Sequence, residues 1–122
     1  MTSERESDEV VQIILVWGTF AADADWVQKG SYFRQTLRRF LKELNVTCEF
    51  HVYSWSAVNS HIARYEASLK LESMLLALAK RTRGDIHIIG HSHGGSVAYN
   101  TLNSSTASSK VTRFFSLGTP FF

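Results

Sequence analysis

A chain of 122 residues holds about one domain with a single core, and 44% hydrophobic residues against 20% charged ones exclude a disordered chain. The formal net charge of +2 gives no ground for a nucleic-acid or anionic-membrane partner. One cysteine, Cys48, excludes an internal disulfide and fits a reducing compartment. The polar, mostly acidic start MTSERESDEV lacks the basic and apolar stretches of a signal peptide, and no later run is long enough to span a bilayer. The expectation is a cytoplasmic protein with a flexible tail over residues 1–10, export without a cleaved signal being left open.

The run VQIILVW, Val11 to Trp17, is nearly all apolar and closes at Gly18, as a parallel strand buried on both faces does. GTFAADADWVQKGS reads as a loop. From Tyr32 to Leu44 the spacing predicts a helix with Phe33, Leu37, Phe40, Leu41 and Leu44 on one stripe. Its other face carries Arg34, Arg38, Arg39 and Lys42 and reads as solvated. Cys48 to Trp55 is β-branched and aromatic enough for a second strand. SAVNSHIA is a connector of undefined form. A second helix is expected over Arg64 to Arg81, stopped by Gly84, with Leu69, Leu71, Met74, Leu75, Leu78 and Ala79 mainly on its apolar side. DIHIIGHS is a third strand and GGSVAYNTL the helix it feeds. Asn103 to Lys110 reads as a polar loop, and Val111 to Pro120 as a fourth strand with a closing turn.

Strands alternating with helices predict an α/β fold, a parallel β-sheet with right-handed crossovers and helices on both faces. Ligands bind such sheets beyond the carboxyl ends of the strands. Three segments qualify: Gly18 to Trp26, His91 to Gly95 and Leu117 to Pro120.

The middle one, Gly90-His91-Ser92-His93-Gly94, has the G-x-S-x-G spacing of a nucleophile elbow. A serine on so tight a strand-to-helix turn needs small neighbours two positions away, and Gly90 and Gly94 supply them. The turn also sets Ser92 at a helix N-terminus, where free N–H groups favour a developing negative charge.

Three segments, IILVWGTF, IHIIGHSHGGSVAYNTL and FFSLGTPFF, together resemble the first half of an α/β-hydrolase core of the lipase and esterase type. The resemblance implies a partial α/β-hydrolase domain over residues 11–122, with about four strands and three helices. It implies Ser92 as nucleophile towards carboxylic esters, small-molecule or lipid. It places oxyanion-hole donors at the backbone N–H of Thr19, or alternatively Phe20, and at that of His93. Trp17 departs from the family, where a histidine usually precedes the glycine; backbone donors do not need that side chain. Gly18, His91, Asp23 and Asp25 are secondary candidates for the pocket. No phosphate loop or metal-ligand cluster appears, so neither a cofactor nor a metal is expected.

A serine hydroxyl needs a base, normally a histidine held by a carboxylate. After Ser92 the chain has one histidine, His93, and no aspartate or glutamate. The His93 side chain is expected to point away from the hydroxyl, and His91 to pack or line the pocket. His51 and His87 read as structural histidines within strands, and His61 as exposed. Asp23 and Asp25 read first as solvated, capping loop residues. Asp85 starts the third strand, at the end away from Ser92. Trp26, Tyr32 and Phe20 read as packing before an acyl pocket.

Phe114, Phe115, Phe121 and Phe122 make the end of the chain apolar, and a bare strand edge there invites pairing. The expectation is a fragment of a longer product, or a chain completed by a homo-oligomer or a complementing partner. Three functional readings stand at this point. One is a serine hydrolase core whose acid and base come from elsewhere. Another is a non-catalytic binding or assembly module that keeps the scaffold. The last is a complete enzyme with an unusual Ser92–His91 or Ser92–His93 pair.

Overall fold

The apolar runs Val11–Val16 and Ile86–His91 become the central strands because each can bury both faces of a parallel sheet. The computed structural model describes residues 10–120. In order it comprises β1 (Val11–Val16), a 3-10 turn (Asp25–Val27), α1 (Tyr32–Glu43), β2 (Cys48–Tyr53), α2 (His61–Arg81), β3 (Ile86–His91), α3 (His93–Thr101), α4 (Ser105–Ser108) and β4 (Arg113–Leu117). The sheet order is β2-β1-β3-β4, and every neighbouring pair is parallel. This is the expected α/β architecture, a parallel sheet with helices on both faces.

Register assigns the faces. Ile14, His51, Ile88 and Phe114 lie side by side across the sheet, as do Ile13, Phe50 and His87. Residues aligned in this way share one face, and their neighbours along the chain share the other. On the first face lie α2 and α3: the Tyr53 hydroxyl, two residues along β2 from His51, donates to the Ala67 carbonyl at 2.7 Å. Thr101 of α3 in turn donates to the Ser68 carbonyl of α2 at 2.9 Å. Leu71, Leu75, Val97, Ile14 and Ile88 are fully enclosed there. On the second face lies α1, with Arg34 and Arg38 each 5.2 Å from the centre of the Phe50 ring.

Several sequence expectations are corrected. Arg34 is buried rather than solvated, its charge resting on Phe50. Phe40 and Leu44, placed on the apolar stripe of α1, are exposed, and so is Leu69 of α2. The second helix begins at His61, three residues early, because Ser60 caps it by accepting from the Ala63 N–H at 3.2 Å. The polar stretch before β4 contains the one-turn α4, capped in the same way by Ser104. Strand β4 is shorter than expected, and the first helix ends at Glu43. The tail read at residues 1–10 lies, but for Val10, outside the described residues, and so do Phe121 and Phe122. No helix among the described residues is long and apolar enough to cross a membrane.

Candidate active site

Chain order sets the site before any side chain does. From β1 the chain moves to one neighbour, β2, and then crosses to the other, β3, so the crossovers diverge at the carboxyl ends of β1 and β3. That crevice is where open α/β sheets bind ligands. Gly18 follows the end of β1, and Ser92 follows the end of β3.

Ser92 has φ 54° and ψ −128°, a conformation that side-chain-bearing residues adopt only when the surroundings force it. Two backbone hydrogen bonds and two close glycine approaches do the forcing. The Ser92 N–H donates to the Leu117 carbonyl of β4 at 2.8 Å, and the Ser92 carbonyl accepts from Gly95 at 2.9 Å. A Cβ on Gly90 would stand 2.7 Å from Gly95 Cα, and one on Gly94 would collide with the Val16 and Trp17 carbonyls. The elbow is therefore compressed against the end of β1 by backbone alone. Gly18 belongs to the same contact: a Cβ there would lie 3.1 Å from Ser92 Cβ and 3.7 Å from its Oγ.

The Ser92 hydroxyl is half-buried, makes no cap bond, and has no hydrogen-bond partner among the described residues. His93 is the first residue of α3, so its N–H has no intrahelical acceptor. Thr19 is half-buried, and no described residue accepts from its N–H. The alternative donor fails: the Phe20 N–H is taken by the Ala57 carbonyl at 2.8 Å, and its side chain projects outward. Phe20 reaches that carbonyl with φ 61°, which turns it away from the crevice.

The loop is held by a reciprocal clasp. Trp17 Nε1 donates to the Trp55 carbonyl at 3.1 Å, and Trp55 Nε1 donates to the Trp17 carbonyl at 2.8 Å. Both indoles are buried. Trp17 thus locks the segments after β1 and β2 together, a packing role for the residue that departs from the hydrolase pattern.

Neither neighbouring histidine is placed as a base for Ser92. The exposed His91 ring meets Trp26 edge-on at 6.2 Å, and Trp26 meets Phe33 at 5.4 Å. The His93 ring lines a cavity with Arg64 and Asn59, and its Nδ1 is buried without a partner. Burial, then the charges of Arg64 and His61, lowers its pKa. Asp23 and Asp25 are exposed, and neither carboxylate meets a histidine among the described residues. The Asp23 carbonyl accepts from the Gln28 side chain, which fits the solvated-loop reading. His51 holds Gln12 Oε1 at 2.6 Å within the sheet, and His87 packs on Phe115 at 6.2 Å. Sequence reading missed Arg64 and Asn59, which sit in and beside the connector left without a form. The signal present was Ser60 ahead of a run of helix formers.

The sequence matches no protein-family model and no curated protein. Among solved structures it is similar to a lipase of Bacillus licheniformis in its mature form, with a TM-score of 0.65 and 17% identity. The alignment covers 89% of this chain and 40% of that lipase, so the chain spans less than half of its length. At that identity the likeness is one of fold: the chain shares the α/β arrangement of part of that lipase.

Proposed function

We propose that the chain is the nucleophile-bearing part of a serine hydrolase acting on carboxylic esters, lipids being a candidate class. The observation that carries this reading is the strained Ser92 backbone at the β1–β3 crevice, compressed by glycine contacts that serve no other evident purpose. In this reading Ser92 Oγ attacks the ester carbonyl carbon while its proton passes to a base. The Thr19 and His93 N–H groups hold the oxyanion; the alcohol then leaves, and water cleaves the acyl-serine to free acid and Ser92. A donor of this kind is worth about 3–4 kcal/mol in the transition state.

The base and its acid lie outside the residues described. A donor pair without a base retains part of the rate enhancement, so slow acylation is expected rather than turnover. The second reading, a binding module, draws on one observation: among the described residues no histidine ring or carboxylate reaches the Ser92 hydroxyl.

A fluorophosphonate probe separates the two. The hydrolase reading expects covalent labelling that disappears in Ser92→Ala and after heat denaturation. Labelling equal in folded and denatured protein, or none at all, leaves the binding module.

A further inference from the structure

Beside the elbow, the start of α2 and the first turns of α3 enclose a cavity of about 650 Å³. Asn59, His61 and Arg64 form one wall, and His93, Ser96 and Asn100 the other; none of the described residues lining it is acidic. Arg64 is only 7% exposed. Its guanidinium donates to Asn59 Oδ1 at 3.3 Å and stands 3.3 Å from His61 Nδ1, and no carboxylate meets it among the described residues. Its partners among the described residues are one amide oxygen and one imidazole nitrogen, both at the long end of hydrogen-bond range, and neither is an anion. A cation held away from water is unfavourable unless an anion faces it.

The opposite wall agrees. His93 Nδ1, one residue from Ser92, is buried without a partner. The N-termini of α2 and α3 both open here, so two positive dipole ends converge on the cation. A structural arginine would be expected to carry a carboxylate or a set of carbonyls. This one meets an amide oxygen and an imidazole nitrogen, and no carboxylate among the described residues.

We propose that the cavity binds an oxyanion, a carboxylate or phosphate, carried by the ester substrate, with Arg64 as its charge anchor. The word substrate rests on the hydrolase reading of Ser92; the anion site itself does not. Guanidinium groups favour such anions because two parallel N–H donors match two oxygens. The chemistry selected is an acidic ester over a neutral one of the same size.

The test is a titration of the chain, followed by the imidazole NMR signals of His61 and His93, with monomethyl succinate, inorganic phosphate and dimethyl succinate. The expected result is saturable binding of one anion at least about tenfold tighter than the neutral diester. The tighter anion names the group. Ser92→Ala should bind the anion as the wild-type chain does, and a wild-type chain that binds the anion but takes no fluorophosphonate label would count against the serine reading alone. Arg64→Gln should weaken binding by at least about tenfold. Should burial make that variant unfold, His61→Glu places a negative charge at an exposed position and should weaken binding about fivefold with an unchanged melting temperature. Equal binding of the diester, no saturable anion binding, or wild-type affinity in the folded variants overturns the proposal.

Discussion

The two faces of the sheet are finished to different degrees. Under α2 and α3, Ile14, Ile88, Leu71, Leu75 and Val97 have no exposure, and hydrogen bonds tie helix to helix and helix to strand. On the other face, α1 covers β1 and β2 but leaves a trough of about 530 Å³ along β3 and β4. His87, Phe115 and Leu117 line it, and Phe115 is 47% exposed. The helix that follows Ser92 belongs to the closed face. The difference teaches that the elbow takes its geometry from the finished half of the molecule and owes little to the open one.

The contrast breaks most readily where backbone meets backbone. Gly94→Ala should cost more than about 3 kcal/mol, because the added Cβ collides with carbonyl oxygens of Val16 and Trp17 that cannot rotate away. Urea unfolding measures it, and fluorophosphonate labelling of Ser92 should fall in the same variant. Next comes a matched pair of truncations. Leu75→Ala, in the closed core, should cost about 3 kcal/mol, whereas Phe115→Ala, on the trough, should cost less than about 1 kcal/mol. Equal costs would show that the trough is covered in solution.

The smallest effect is a pH dependence. Burial lowers the pKa of both His51, on the closed face, and His87, in the trough. With the folded value depressed, the unfolded chain takes up protons first as pH falls. The stability contributed by these neutral rings is complete above about pH 6.5 and is lost below it, as pH falls towards the folded values. Melting temperature should therefore drop between pH 7.5 and 5.5, by less in His87→Gln than in the wild type. A pH-independent melt would mean that both rings are solvated.

Much of this was legible in the sequence, for physical reasons that differ by element. The run from Val11 to Val16 can only be a strand buried on both faces, and the glycines around Ser92 encode a close approach that the structure contains. Long side chains defeated the reading. Arg34 looks solvated by charge, yet its stem and guanidinium cover Phe50. Phe40 looks internal by helical spacing, yet the ring is exposed to solvent. Arg64 and Asn59 were invisible as a site because their meaning depends on His93, about thirty residues later, arriving on the opposite wall through the crossover. The Phe20 donor fell to one backbone bond from Ala57, a contact that no local pattern announces.

The clasp of Trp17 and Trp55 has an optical consequence. The chain contains three tryptophans, and the third, Trp26, lies against His91, so all of them stand at the carboxyl end of the sheet. Tryptophan emission therefore samples that end alone. A change in emission without a change in far-ultraviolet dichroism would signal an opening of the crevice while the sheet and its helices stay folded. The protein thus carries its own dye at the place where a ligand would arrive.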